Sequence, residues 1–246
     1  MPAAKFLLVL ITAFLLVPNA ARASTVAAAE DLDLESPAVI QEAKERIARE
    51  FAGSEVQPMD ESTLNQILKS YAHLDPKHYI DTAILKKTVL YYDKNKSSFP
   101  NPDFVTIVDF TPRSDKYRLF VIDMKSGLVE RFHTSHGVGS DKNADGFAER
   151  FSNVPNSGAS SLGFARTTDT FVGHYGRAVR MDGLSSTNSN IRERAVIYHG
   201  WDQVHEKNVI QGMSHGCITL DYAVKDGVLD KVKGGSLVNM AFTSRK

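Results

Sequence analysis

The apolar positions along the chain change period twice. After Ser36-Pro37, a capping residue followed by a first-turn proline, Ile40, Ala43, Ile47 and Phe51 recur at helical spacing as far as Gly53, which predicts a first helix. A second helix is predicted from about 60 to 73, with Leu64, Ile67, Leu68 and Tyr71 on one face, and a third from about 78 to 92, with Ile80, Ile84 and Tyr91. The turn-rich Ser97-Ser98-Phe99-Pro100-Asn101-Pro102 closes this helical section. Beyond it the apolar runs become short and β-branched: 104–110, 118–124 and, after Lys125-Ser126-Gly127, 128–134 as a hairpin, with 196–199 and 237–242 as further strands. Between them lies a polar, glycine-rich middle, and its Gly173-His174-Tyr175-Gly176 and Arg180-Met181-Asp182-Gly183-Leu184 read as loops. The expectation is an α+β chain: a helical section over 24–98, then a mainly β domain over 99–246, built as a sandwich or partly closed barrel.

The first 23 residues break this pattern. Lys5 precedes an apolar run from Phe6 to Val17, and Pro18 and Ala21-Arg22-Ala23 follow, the layout of a cleavable export signal. The run is about 12 residues against the roughly 20 that span a bilayer, and no comparable run follows it. The chain is therefore expected in the periplasm or outside the cell, with no integral membrane segment once the signal is removed. Lys plus Arg and Asp plus Glu stand at 29 each, and loss of Lys5 and Arg22 leaves a net charge of about −2. No basic excess points to nucleic acid, and no basic amphipathic segment points to a membrane surface.

Export makes the cysteine count informative. Cys217 is the only cysteine of 246 residues, in a compartment where thiols ordinarily pair. It closes the run Ser214-His215-Gly216-Cys217, and fourteen residues earlier comes Tyr198-His199-Gly200. A thiol becomes a nucleophile when a base lies near and its orientation is fixed, and this spacing provides for both. From the residues alone, either His199 or His215 could be the base.

A histidine, a gap of fourteen, then Ser-His-Gly-Cys resembles the signature of the L,D-transpeptidases of bacterial cell walls, the YkuD-type catalytic domain. Phe151-Ser152-Asn153, Ser160-Ser161-Leu162-Gly163 and Asp182-Gly183-Leu184 resemble a divergent branch of it, and the likeness covers about 104–243. The family's motif usually continues with an apolar residue and asparagine, whereas here Ile218 is followed by Thr219, which lacks the amide. The resemblance implies that Cys217 is the nucleophile and His199 its general base, held in tautomer by the Gly200 carbonyl. It places an oxyanion hole at the backbone of His215, Gly216 and Cys217, with Ser214 and His215 shaping the pocket. Arg180, Tyr175, His174 and Thr219 are the candidates for holding the substrate.

The implied reaction is acyl transfer on peptidoglycan stem peptides, without a cofactor or metal. An amine acceptor would give a 3-3 cross-link; water would make the same site an L,D-carboxypeptidase. Two readings of other classes stand beside it. A zinc peptidase would draw ligands from His199, His205, His215 and Cys217, but none of their spacings is a standard one such as His-Glu-x-x-His. A wall-binding module without activity would be expected to lose Cys217 or His199, and both are present. Asp141, Asn143, Asp145 and Gly146 resemble half of an EF-hand calcium loop without its closing acidic ligand or helix pair.

Overall fold

The computed structural model describes residues 34–244; the signal-like segment over 1–23 lies outside the described residues. Helix α1 (Pro37–Glu50) starts where the sequence places it, with the Ser36 hydroxyl accepting from Val39 N and proline in the first turn. Helix α2 (Glu61–Ser70) is capped by Asp60, whose carboxylate accepts from Thr63 N at 2.9 Å. Helix α3 (Thr82–Asn95) begins later than expected. The Asp75 carboxylate takes the N–H groups of Tyr79 and Ile80 and ties that stretch into a turn, and Asp81 caps the helix through Ala83 N and Ile84 N. The same helix runs past 92 because Asn95 bonds back to Tyr91 O and across to Ser54 O.

Ten strands follow. An eight-stranded mixed sheet, curled almost into a barrel, has the order β3-β2-β1-β10-β5-β6-β7-β9. Its members are β1 (Phe104–Asp109), β2 (Leu119–Asp123), β3 (Val129–Phe132), β5 (Gly163–Gly173), β6 (Gly176–Gly183), β7 (Tyr198–Gly200), β9 (Ile218–Leu220) and β10 (Leu237–Ala241). Strands β4 (His136–Gly137) and β8 (Met213–Ser214) pair in parallel as a small second sheet. The architecture is the expected α+β one.

The centre of the sheet is covered on both faces, and β1 shows how. Ile107 packs with Ile84 and Val89 of α3, while Val108 packs with Val228, Leu229 and Val232 of helix α4 (Tyr222–Val232). Alternation along the strand sends successive side chains to opposite cores, which is why it reads as an unbroken apolar run. Tyr91 of α3 stacks on Phe164 of β5 with ring centroids 3.7 Å apart, so α3 shares the sheet's core.

Strands β5 and β6 and a fourth helix depart from the sequence reading. The middle read as loops contains the longest strands, β5 and β6, joined by the two-residue turn His174-Tyr175 with Gly176 at φ +77°. Arg180 to Gly183 is therefore strand. Helix α4 was not expected; Asp221 caps it through Ala223 N, and Gly227 in its middle hides it from a propensity reading.

Candidate functional site

Parallel pairing of β7 with β9 brings the two halves of the motif together. His199 lies opposite Thr219, two residues beyond Cys217, and Ile218 N donates to Ile197 O at 3.0 Å. Cys217 immediately precedes β9, so the register brings the His199 motif and the Cys217 motif to neighbouring strands. The site stands at the edge of the sheet, where β9 has only β7 beside it.

His199 is buried, and its Nδ1 lies 2.9 Å from the Gly200 carbonyl oxygen. A carbonyl can only accept, so Nδ1 carries the hydrogen and Nε2 is the nitrogen that can take a proton. Tyr175, from the β5–β6 turn, stacks on the imidazole at 4.3 Å and 25°. Position 200 has no room for a side chain: a Cβ there would come within 2.6 Å of Lys225 Cδ and 2.8 Å of the Tyr222 ring, both on α4. The unpredicted helix thus closes the back of the site.

Cys217 is half-buried and reached by a turn that Ser214 ties together. The Ser214 hydroxyl accepts from Gly216 N at 3.1 Å and donates to Cys217 O at 3.0 Å. The Gly216 N–H is thereby committed to the turn itself. Gly216 has φ +117°, and a Cβ on it would lie 2.7 Å from Ala159 O, so only glycine fits. The thiol is 3.6 Å from the carbonyl of Ala195, a residue held at φ +48°.

Cys217 opens on a cavity of about 500 Å³ whose walls include His215, Tyr175, Arg194, Ala195, Lys142 and Leu34. Arg194 lines this cavity although the sequence did not mark it as a candidate. Its guanidinium donates to Ser152 O, Ala159 O and the hydroxyls of Ser157 and Ser161, all neutral oxygens. Burial pulls its pKa down, and Cys217 pulls it back up. Arg194 sits in an irregular stretch with no periodicity, so position along the chain gave no signal for it.

The remaining candidates divide. Tyr175 and His215 line the cavity; His174 is exposed and packs edge-on against Tyr175 at 4.8 Å. Thr219 does not reach the cavity: it is fully buried and gives its hydroxyl to Ser135 Oγ at 2.6 Å. Arg180 stands next door, paired with Asp169 at 2.7 Å and Glu35 at 3.5 Å. The Asp141 carboxylate accepts from Asp145 N and Gly146 N and faces His136, so the calcium-like stretch is a self-closed turn. Among the described residues, no group of three or more His, Cys, Asp and Glu is placed to hold a metal ion.

The L,D-transpeptidase catalytic domain matches residues 76–241. The chain belongs to that family. The match takes in α3 and begins well before the signature motifs, consistent with the core that α3 shares with the sheet. No curated protein matches the sequence. Among solved structures, an L,D-transpeptidase from Mycobacterium smegmatis is 15% identical over 56% of this chain and 58% of its own, with a TM-score of 0.36. One from Xylanimonas cellulosilytica is 17% identical over 56% and 60%, with a TM-score of 0.31. One from Stackebrandtia nassauensis is 11% identical over 82% and 91%, with a TM-score of 0.36. The chain spans about three fifths of the length of the first two, and membership rests on the catalytic-domain match. Among the described residues, no helix is long and apolar enough to cross a membrane.

Proposed function

We propose that this family member is an exported cysteine acyltransferase that acts on peptidoglycan stem peptides, with Cys217 as nucleophile and His199 as general base. The observation that carries the reading is the bond from His199 Nδ1 to the Gly200 carbonyl, because it leaves Nε2 as the basic nitrogen on the strand beside the one that Cys217 leads into.

In this reading Nε2 takes the thiol proton, and the sulfur attacks the carbonyl of the third stem residue at its L-centre. The oxyanion forms against the 215–217 turn, with the Arg194 guanidinium supplying positive charge beside it. Collapse breaks the C–N bond to the terminal D-alanine, and the imidazolium returns its proton to the departing amine. A thioester remains. An amine from a neighbouring stem then attacks it, passes a proton to Nε2, and leaves a new amide and the free thiol. Tyr175 holds the imidazole plane through both halves.

The deciding experiment is mass spectrometry of products from purified disaccharide-tetrapeptide, with the mature protein and its Cys217→Ala variant. Dimers that depend on Cys217 are the expected result. Cys217-dependent tripeptide without dimers would make water the acceptor and the enzyme an L,D-carboxypeptidase, and products indifferent to Cys217→Ala would end the thiol mechanism.

A further inference from the structure

Beside the Cys217 cavity lies a small recess lined by Glu35, Arg180, Met181, Arg192 and Val196, and Ala195 and Ile197 line both spaces. The recess is filled by the chain's own carboxylate. Glu35 places one oxygen 2.6 Å from Arg192 Nε and the other 2.8 Å from Nη2, a two-pronged contact, with Arg180 Nε at 3.5 Å. Leu34, the residue before it, is exposed and forms part of the cavity wall around Cys217. The N-terminal segment therefore crosses the rim of the site.

The charges here balance only while Glu35 is in place. Arg46, Arg166, Arg180 and Arg192 pair among Glu35, Glu50, Asp169 and Asp182. Withdrawal of Glu35 leaves one positive charge in excess and a guanidinium edge shaped for a carboxylate. The element that carries Glu35 is also weakly seated. In α1 only Ala43 is buried, and a groove of about 300 Å³ remains between the helix and residues 182–192. The apolar anchorage of α1 is confined to the C-terminal end, where Ile47 and the capping Phe51 meet the core, and the rest is polar: Lys44 to Glu193 at 2.6 Å, Lys44 to Asn190 at 3.0 Å and Arg46 to Asp182 at 2.8 Å. The part-exposed Lys44–Glu193 pair contributes little, so the seat of this end rests on the bond of Glu35 to Arg192, which a competing carboxylate can exchange for its own.

We propose that Arg192 and Arg180 form a carboxylate-binding site at the rim of the Cys217 cavity, and that Glu35 is its displaceable occupant, exchanged for a carboxylate of the incoming stem peptide. This rests on the proposed function, since it assumes an acidic peptide as substrate. The N-terminal segment acts as an internal competitor, and apparent affinity is lowered by the fraction of molecules in which Glu35 is seated.

The test is calorimetric titration of Cys217→Ala, with and without Glu35→Gln, using free-acid tetrapeptide and the same peptide with its carboxylates amidated. Glu35→Gln is expected to tighten the free-acid peptide about fivefold or more and to leave the amidated one unchanged. Adding Arg180→Gln should cancel the gain. An unchanged or weakened free-acid Kd overturns the inference, and so does an equal gain for both peptides, which would mean that α1 had merely loosened. Cys217-dependent turnover by the intact enzyme alongside an unchanged Kd removes this inference alone. Absence of both binding and turnover removes the proposed function with it.

Discussion

Two buried histidines, His199 on β7 and His136 on β4, occupy opposite kinds of surroundings. His199 commits Nδ1 to a backbone carbonyl, lies under an aromatic ring and sits on the strand beside the one that follows the half-buried Cys217. His136 is gripped on both nitrogens, with Arg118 Nη1 2.9 Å from Nδ1 and Asp141 Oδ2 3.3 Å from Nε2. Burial, reinforced by Arg118, brings its pKa down to about 4. Arg118 is itself wholly buried, and burial lowers it to about 9 against the opposing pull of Asp109, Asp115 and Asp141. Burial alone therefore does not set the two histidines apart. The distinction lies in which nitrogen is already committed, and to what.

Substitutions should separate the two residues cleanly. The largest effect is expected from His199→Asn, which should lower kcat by about 10²–10⁴-fold in the product assay, the range of a lost general base, while the melting temperature holds. A matching fall in melting temperature would assign His199 to the structure instead. His136→Ala should do the reverse. It strips Arg118 of a buried partner and should cost about 3 kcal/mol in denaturant unfolding, with the activity of the folded fraction retained.

A pH titration sharpens the comparison. Because His136 falls from its ordinary 6.5 to about 4 on folding, the unfolded chain takes up its proton first as the pH drops. Its stabilising effect is complete above 6.5 and is lost progressively down to about 4, by up to about 3 kcal/mol. Unfolding curves across that window should show the loss, and His136→Gln should flatten it. The smallest effect belongs to Thr219→Val. It leaves the Ser135 hydroxyl without its 2.6 Å partner and should cost about 1 kcal/mol, with KM unchanged because Thr219 lies away from the cavity.

What the sequence disclosed follows the same division. The neighbouring placement of the His199 and Cys217 motifs was legible because both are compact and a short parallel register joins them, and α1 and α2 declared themselves through Ser36 and Asp60. Strands β5 and β6 were hidden because glycines end both and arginines and aspartates interrupt their apolar positions, the charges pairing with one another beside the core. Arg194 and Ala195 were invisible for a different reason. Their contribution depends on where an irregular segment passes in space, and neither period nor spacing encodes that.

The small β4–β8 sheet joins the two halves of this comparison. His136 pairs with Met213, Gly137 pairs with Ser214, and Val138 N donates to Ser214 O at 2.7 Å, so the strand that bears the buried histidine also supports the serine that ties the turn before Cys217. Mechanically this is a tie bar: the interior and the turn that carries Cys217 move together, so a shift of β4 reaches the thiol without passing through the cavity.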